Sequence, residues 1–365
     1  NLLGWQHQKE LGIKLDPNNK EQVLLVDVEM GYQHMLREFP ELFKDELGLL
    51  KDYQHKIVLK DKAVPRVNKT RPVPLMMRKP LEEELRKLIE LGVIERIDYS
   101  EWVSAIVLAK KADGKGLRLC VDLRGLNEWI CVERHPLPRI HEMISTMGKA
   151  SCFSVIDLSM AYHQIELHPE SRRLTAFTTP CGVYMFNRLP FGLASAAAVF
   201  QKIMQDVLRE CNNTMCFQDD VLVYGDTREK HDVALRMVMT KLSEAGMTIK
   251  PEKCVLGASS VDYLGHRISH EGIKPKHSLV DSVMKASPPK NKDELRSFLG
   301  LAEFMAKYVK NFADICVPLR DIGKKNQEFV WSQECDDAFE RLKSAIANAP
   351  TLGTFEPKLR TLITT

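Results

Sequence analysis

Apolar and polar positions along the chain switch between a period of two and a period near 3.6, and the switches mark its elements. The sharpest β signal is Met215–Tyr224. An apolar run, Met215-Cys216-Phe217, breaks at Gln218-Asp219-Asp220 and resumes as Val221-Leu222-Val223-Tyr224. β-Favouring flanks around so short a polar break predict a hairpin with the acidic pair at its tip. A second β pair is predicted from Val103–Leu108 and Leu117–Val121, joined by the basic, Gly-containing stretch Lys110–Gly116. Ser151–Leu158 reads as a strand with Asp157 set among apolar residues. Tyr53–Leu59, part of 182–192 before the turn Leu189-Pro190-Phe191-Gly192, and Val261–Ile268 read as further short strands.

The helical period shows in patches over Val23–Phe39 and plainly over Pro80–Leu91. There Leu81, Leu85, Leu88 and Ile89 share a face, Pro80 suits the first position, and Gly92 stands just past the end. A helix with Phe200, Ile203, Met204, Val207 and Leu208 on one face precedes the acidic hairpin, and Arg228–Ala245, closed by Gly246, follows it. Asn291 with Glu294 is a capping box that opens a helix carrying Leu295, Phe298 and Leu299. A last helix carries Ala338, Leu342 and Ile346. Pro65, Pro72, Pro74 and Pro80 exclude helix from the basic segment Val64–Lys79 and hold it extended. Pro288-Pro289 marks a break and a domain boundary.

Composition narrows the class. The chain's 365 residues allow two or three domains, and 44% apolar with 28% charged residues is an ordinary globular balance. The formal net charge is only +3, so a nucleic-acid site has to come from local clusters of Lys and Arg. No apolar run approaches the roughly eighteen residues of a membrane span, and Asn1-Leu2-Leu3-Gly4-Trp5 does not read as a signal peptide. Nine cysteines, odd in number and without a C-x-x-C pair, read as reduced thiols of an intracellular protein and argue against zinc.

The candidate chemistry starts from the acidic pair. Adjacent Asp side chains on a rigid hairpin repel each other, which raises one pKa unless a cation compensates. Asp157, on its own strand about sixty residues earlier, would be costly to bury unless paired or metal-bound. Three carboxylates supply the oxygen ligands that Mg²⁺ prefers, and two such ions activate an attacking hydroxyl and stabilise a leaving pyrophosphate. Lys111 and Arg118 on the basic hairpin would neutralise a triphosphate. Each part alone has a plainer reading: a polar turn for Asp219-Asp220, a solvated tip for Lys110–Gly116, a strand-end residue for Asp157.

The combination resembles a known family. Leu117–Asn127 is similar to a W-R-x-C-V-D-Y-R-x-L-N block, His135–Ile140 to Y-P-L-P-R-I, and Phe153–Ile165 to F-S-x-x-D-L-x-x-x-Y-H-Q-I. Leu189–Gln201 resembles P-F-G-L-x-x-A-x-x-x-F-Q, Tyr263-Leu264-Gly265-His266 a primer-grip block, and Phe298–Leu301 with Tyr308, Asn311 and Phe312 a thumb. These ordered blocks resemble the reverse transcriptase part of a gypsy-type LTR-retrotransposon Pol polyprotein.

The resemblance implies an α+β right-hand polymerase. Fingers and palm would take 61–268, the thumb 269–325, and a connection leading to a truncated RNase H domain 326–365. Residues 1–20 would be the tail of an aspartic protease and 21–60 a linker. It implies Asp157, Asp219 and Asp220 as catalytic ligands of two Mg²⁺ ions, with Mn²⁺ as a substitute. Lys111, Arg118, Tyr162, Phe191 and Gly192 would bind the dNTP, Tyr162 as the gate against a 2′-OH. Phe217, Gln218, Gly265 and His266 would meet primer and template. The implied partners are an RNA template, a DNA primer or RNA–DNA hybrid, dNTPs, and the flanking protease, RNase H and integrase, in a cytoplasmic virus-like particle with no membrane. Phe217 for the usual Tyr, Gln218 for an apolar residue, Ala197 for Pro and Leu117 for an aromatic depart from the pattern without removing a metal ligand. A silent or host-retained copy is the alternative, and Tyr162 disfavours an RNA-synthesising polymerase.

Overall fold

A computed structural model of the chain describes residues 32–110, 117–133, 135–324 and 327–353. The chain divides into two compact units. One takes residues up to Pro138 with Val155–Val223 and Asp232–Gly257; the other takes Arg139–Ser154, Tyr224–His231 and the chain from Ala258 onward.

The first unit holds a five-stranded sheet of order β2-β8-β7-β3-β4. Strand β3 (Ser104–Lys110) pairs antiparallel with β4 (Leu117–Val121), Lys110 opposite Leu117, as the hydrophobic pattern required. Its other edge pairs parallel with β7 (Phe177–Thr179), which pairs antiparallel with β8 (Gly182–Phe186), and β8 pairs antiparallel with β2 (Ile94–Ile97). Strand β7 carried no sequence signal of its own. Helix α1 (Leu75–Glu90) buries Leu81, Leu85 and Leu88 in the unit's core, whereas Ile89 is exposed. The helix starts five residues before Pro80, so that proline is internal and not its first residue. The added turn hangs on Pro74, whose carbonyl accepts from the Met77 N–H at 2.9 Å, and it carries exposed Leu75 and Met76. Its end follows the glycine rule: Val93 N–H donates to Leu88 and Gly92 N–H to Ile89, the paired bonds of a Schellman close.

A four-stranded sheet, order β11-β5-β10-β9, carries the acidic residues. It is built from β5 (Cys152–Asp157), β9 (Thr214–Phe217), β10 (Asp220–Gly225) and β11 (Val255–Ala258). Helix α2 (Ala196–Val207) buries Val199, Phe200, Ile203 and Met204, and α3 (Arg228–Glu244) buries Leu235, Val238, Met239 and Leu242. The Tyr53–Leu59 strand shrinks to β1 (Gln54–His55), parallel to β6 (Glu166–Leu167), with a lone bridge from Leu59 to Ile130. Of the Val23–Phe39 helical patches, Gln33–Glu38 is helical; residues 23–31, like 1–20, lie outside the described residues.

In the second unit the single strand expected over Val261–Ile268 is a hairpin. Strands β12 (Ser260–Tyr263) and β13 (His266–Ser269) pair antiparallel around Leu264-Gly265, both at positive φ, and β14 (Gly272–Pro275) adds a third strand. Two positive φ values are those of a type I′ two-residue turn. Helix α4 (Lys292–Phe304) opens on Asn291, whose side chain accepts from the Asp293 and Glu294 N–H groups. Glu294 reaches back to the Lys290 N–H at 2.8 Å, one residue further than a standard capping box. Phe298 of α4 packs on Phe339 of α5 (Gln333–Ala347), ring centroids 4.6 Å apart. Residues on both sides of Pro288-Pro289 fall in this unit.

Candidate active site

The acidic hairpin folds as its pattern implies. Strands β9 and β10 pair antiparallel with Phe217 opposite Asp220, leaving Gln218 and Asp219 as the two-residue tip. Gln218 adopts φ +54°, a left-handed conformation that is uncommon for a side chain without a short polar group. Asp157 ends β5, which lies beside β10 in the sheet. Burial first, then the charges of Asp219 and Asp157, push the Asp220 carboxyl above its usual range, while Lys253 pulls the other way. Asp220 therefore senses both of the other carboxylates.

Asp157 also has a cationic partner. The Lys253 ammonium lies 3.2 and 3.3 Å from its two oxygens, and its carbonyl accepts from the Lys250 N–H at 2.9 Å. Among the described residues no three His, Cys, Asp or Glu side chains stand in an arrangement ready to hold a metal ion. What the site offers a hard cation is its donor chemistry, carboxylate oxygens only, and a negative charge that burial makes costly.

The half-buried Tyr162 ring forms a floor near the hairpin. It meets Phe191 edge-on with centroids 4.9 Å apart and packs on Phe200 at 5.2 Å. Its hydroxyl donates to Gln218 Oε1 at 3.4 Å, and burial, then the Asp219 charge, raise its pKa. Phe191 is half exposed and Gly192 follows it in the same loop. That loop is held by Asn127, which donates from Nδ2 to the Gly192 carbonyl and accepts the Ala194 N–H at Oδ1, both at 2.9 Å. Beneath it, buried His163 donates from Nδ1 to the Leu189 carbonyl at 3.1 Å, and burial lowers its pKa to about 4, so the ring is neutral near pH 7.

Behind the tip stands Gln201 of α2. It bonds to the backbone on both sides of Phe217: Nε2 donates to the Cys216 carbonyl at 3.0 Å and Oε1 accepts from the Gln218 N–H at 2.7 Å. Gln201, Asn127 and Lys253 drew no role from the sequence, because a side chain whose partner is backbone, or a carboxylate brought near only by the fold, carries no periodic signature. Asp122 was missed likewise. Arg124, then Arg71, hold its carboxyl far below the usual range, which ties the non-helical stretch 64–74 to the end of β4; the expected extended segment stops there, since 75–79 belong to α1.

Of the other expected residues, Arg118 is exposed on β4 opposite Ala109, and Lys111 lies outside the described residues. Gly265 and His266 belong to the second unit. His266 is buried there, its ring stacked on Phe304 at 4.9 Å and its Nδ1 hydrogen-bonded to the Tyr308 hydroxyl at 2.9 Å. In that unit His266 pins the hairpin to α4. No helix among the described residues is long and apolar enough to cross a membrane.

The chain is similar to known proteins. Residues 109–268 match the family "Reverse transcriptase (RNA-dependent DNA polymerase)". The chain is 33% identical over 278 residues to the retrovirus-related Pol polyprotein from transposon 297 of Drosophila melanogaster, covering 74% of this chain and 26% of that protein. With the Pol polyprotein from transposon 412 of the same fly it shares 32% identity over 370 aligned residues, covering 93% of this chain and 30% of the relative. The chain thus spans less than a third of the length of these relatives. Its structure superposes on the foamy viral protease-reverse transcriptase solved with RNA/DNA hybrid, TM-score 0.81 at 24% identity, over 96% of this chain and 47% of that one. A form solved with double-stranded DNA gives TM-score 0.83 at 24% identity, over 98% of this chain and 74% of that one. The fold is the expected right-hand polymerase.

Proposed function

The chain belongs to the reverse transcriptase family found in retrotransposon Pol polyproteins, and from that premise we propose that it extends a DNA primer with dNTPs on an RNA or DNA template. The observation that carries this reading is the placement of Asp157 at the end of β5, beside the strand β10 that Asp220 opens and whose turn holds Asp219; burial first, and then the two neighbouring carboxylates, raise Asp220. In the proposed role the three Asp hold two Mg²⁺ ions, and the metal supplies a lowered pKa for the primer 3′-hydroxyl and charge stabilisation of the pyrophosphate. The side chains supply the rest. Asp219 and Asp220 stand at the tip of a two-strand hairpin, whose ladder fixes their spacing. Lys253 pairs with Asp157 and orients that carboxylate. Arg118, with Lys111, takes the triphosphate charge. Phe191, steadied by Asn127 and His163, and Tyr162, braced by Phe191 and Phe200, bound the nucleotide sugar.

The rest of the reading extends the family resemblance. Protease, RNase H and integrase segments flank this region in the intact polyprotein, and the work takes place in the cytoplasm. Gly265 and His266 serve the primer grip, with His266 acting through hairpin position because its ring is buried. The experiment is Mg²⁺-dependent extension of a DNA primer on poly(rA). Wild type is expected to extend and Asp219→Asn to fall to background. Equal extension by the two would refute the ligand assignment.

A further inference from the structure

Gln201 is fully buried within α2 and commits its whole carboxamide to the strand that leads into the acidic tip. Its two backbone partners, the Cys216 carbonyl and the Gln218 N–H, are two residues apart in sequence. Strand β9 is the outermost of its sheet. An edge strand offers the C=O of one residue and the N–H of the second residue on as a pair to the next strand. The Gln201 carboxamide takes both, as one residue of an added parallel strand would. The two bonds also settle the amide's orientation, since the donor must face the carbonyl and the acceptor the N–H.

The position it braces is strained. Gln218 holds φ +54°, which a residue with a Cβ adopts only when its surroundings insist. Asp219 comes next in the chain, so the direction in which its carboxylate leaves the tip depends on that backbone. The Gln218 side chain in turn accepts from the Tyr162 hydroxyl. One buried amide is thus linked through the tip backbone to both the carboxylate pair and the aromatic floor.

We propose that Gln201 is a positioning residue of the site, which substitutes for a missing strand at the edge of β9 and fixes Asp219 and Asp220 for metal binding. This rests on the polymerase reading given above. An apolar replacement of equal size leaves the Cys216 carbonyl and the Gln218 N–H without these partners, and the tip is then free to relax from its left-handed conformation.

Gln201→Met, close in volume, is the variant to compare with wild type. Three quantities are read: the thermal midpoint, Mn²⁺ affinity from an EPR titration without primer or nucleotide, and kcat and KM for dNTP on primed RNA. Gln201→Met is expected to weaken Mn²⁺ binding by about tenfold, as loss of a second-layer contact to a ligand does. It should lower kcat by a similar factor while leaving KM for dNTP nearly unchanged. If the Met variant melts below the assay temperature, Gln201→Glu keeps the acceptor to Gln218, loses the donor to Cys216, and should still lower kcat. Wild-type Mn²⁺ affinity and kcat in a folded Gln201→Met overturn the proposal. So does a kcat that falls only with the fraction of folded protein while Mn²⁺ affinity per folded molecule holds. Failure of wild type itself to extend a primer would strike the polymerase reading, and the Mn²⁺ titration would still decide the role of Gln201.

Discussion

At the scale of single residues, the packing of Tyr162 bears on its proposed role as a gate that discriminates between sugars. A gate works only if it cannot swing away. Tyr162 is wedged edge-on against Phe191 and tilted against Phe200, with its hydroxyl tethered to Gln218. The ring, not the hydroxyl, supplies the excluding volume. Tyr162→Ala is therefore expected to raise rNTP incorporation relative to dNTP by tenfold or more, the factor that corresponds to about 1.4 kcal/mol of lost discrimination. Tyr162→Phe should keep most of the discrimination, since only the 3.4 Å hydroxyl contact goes. Competition between rGTP and dGTP on one template measures both ratios. An unchanged ratio in Tyr162→Ala would remove this residue from the role.

At the scale of elements, glycines show two physically distinct demands. Gly265 has φ +80°, and a Cβ there would lie 2.6 Å from Phe304 Cζ. Gly92 has φ +65° and nothing within 4 Å of the same position. Gly92→Ala should thus cost only the left-handed backbone, about 1 kcal/mol, whereas Gly265→Ala adds overpacking and should cost about 2–4 kcal/mol. Thermal midpoints of the two variants compare them directly, and equal shifts would mean that Phe304 yields freely. The same two positions show what could be read in advance. Gly92 closes a helix whose apolar face announced it, and Asn291 with Glu294 announced α4 equally well. Gly265 sits in a turn whose other residue is Leu264, a side chain no turn rule selects, so two strands looked like one. The early start of α1 was hidden by Pro80, which argues against helix locally but is outvoted by Leu81, Leu85 and Leu88 in the core. At the site, the three Asp and Tyr162 stood out by type and order. Gln201, Asn127 and Lys253 did not, because their partners are backbone groups or a carboxylate brought near only by the fold.

At the scale of the whole molecule, its response to acid includes contributions of opposite sign from buried groups. His163 is buried, its pKa lowered to about 4 from 6.5 by burial, and His55 is lowered by the same cause. A histidine held neutral in the fold binds its proton more readily when unfolded, so stability is retained above about pH 6.5 and lost as pH falls toward 4. For His163 the full span amounts to at most about 3 kcal/mol. Asp220 works the other way. Its raised pKa means that the folded protein takes up a proton before the unfolded chain does, which adds stability as the solution turns acid. The net profile mixes both, so the histidine contribution has to be isolated by substitution. His163→Gln keeps an amide N–H for the Leu189 carbonyl but does not titrate. It should be less stable than wild type at pH 7 and lose less on going to pH 4.5, so that the two curves converge. Thermal midpoints across that range measure the convergence. Parallel curves would show that His163 is not the group through which acid opens this unit.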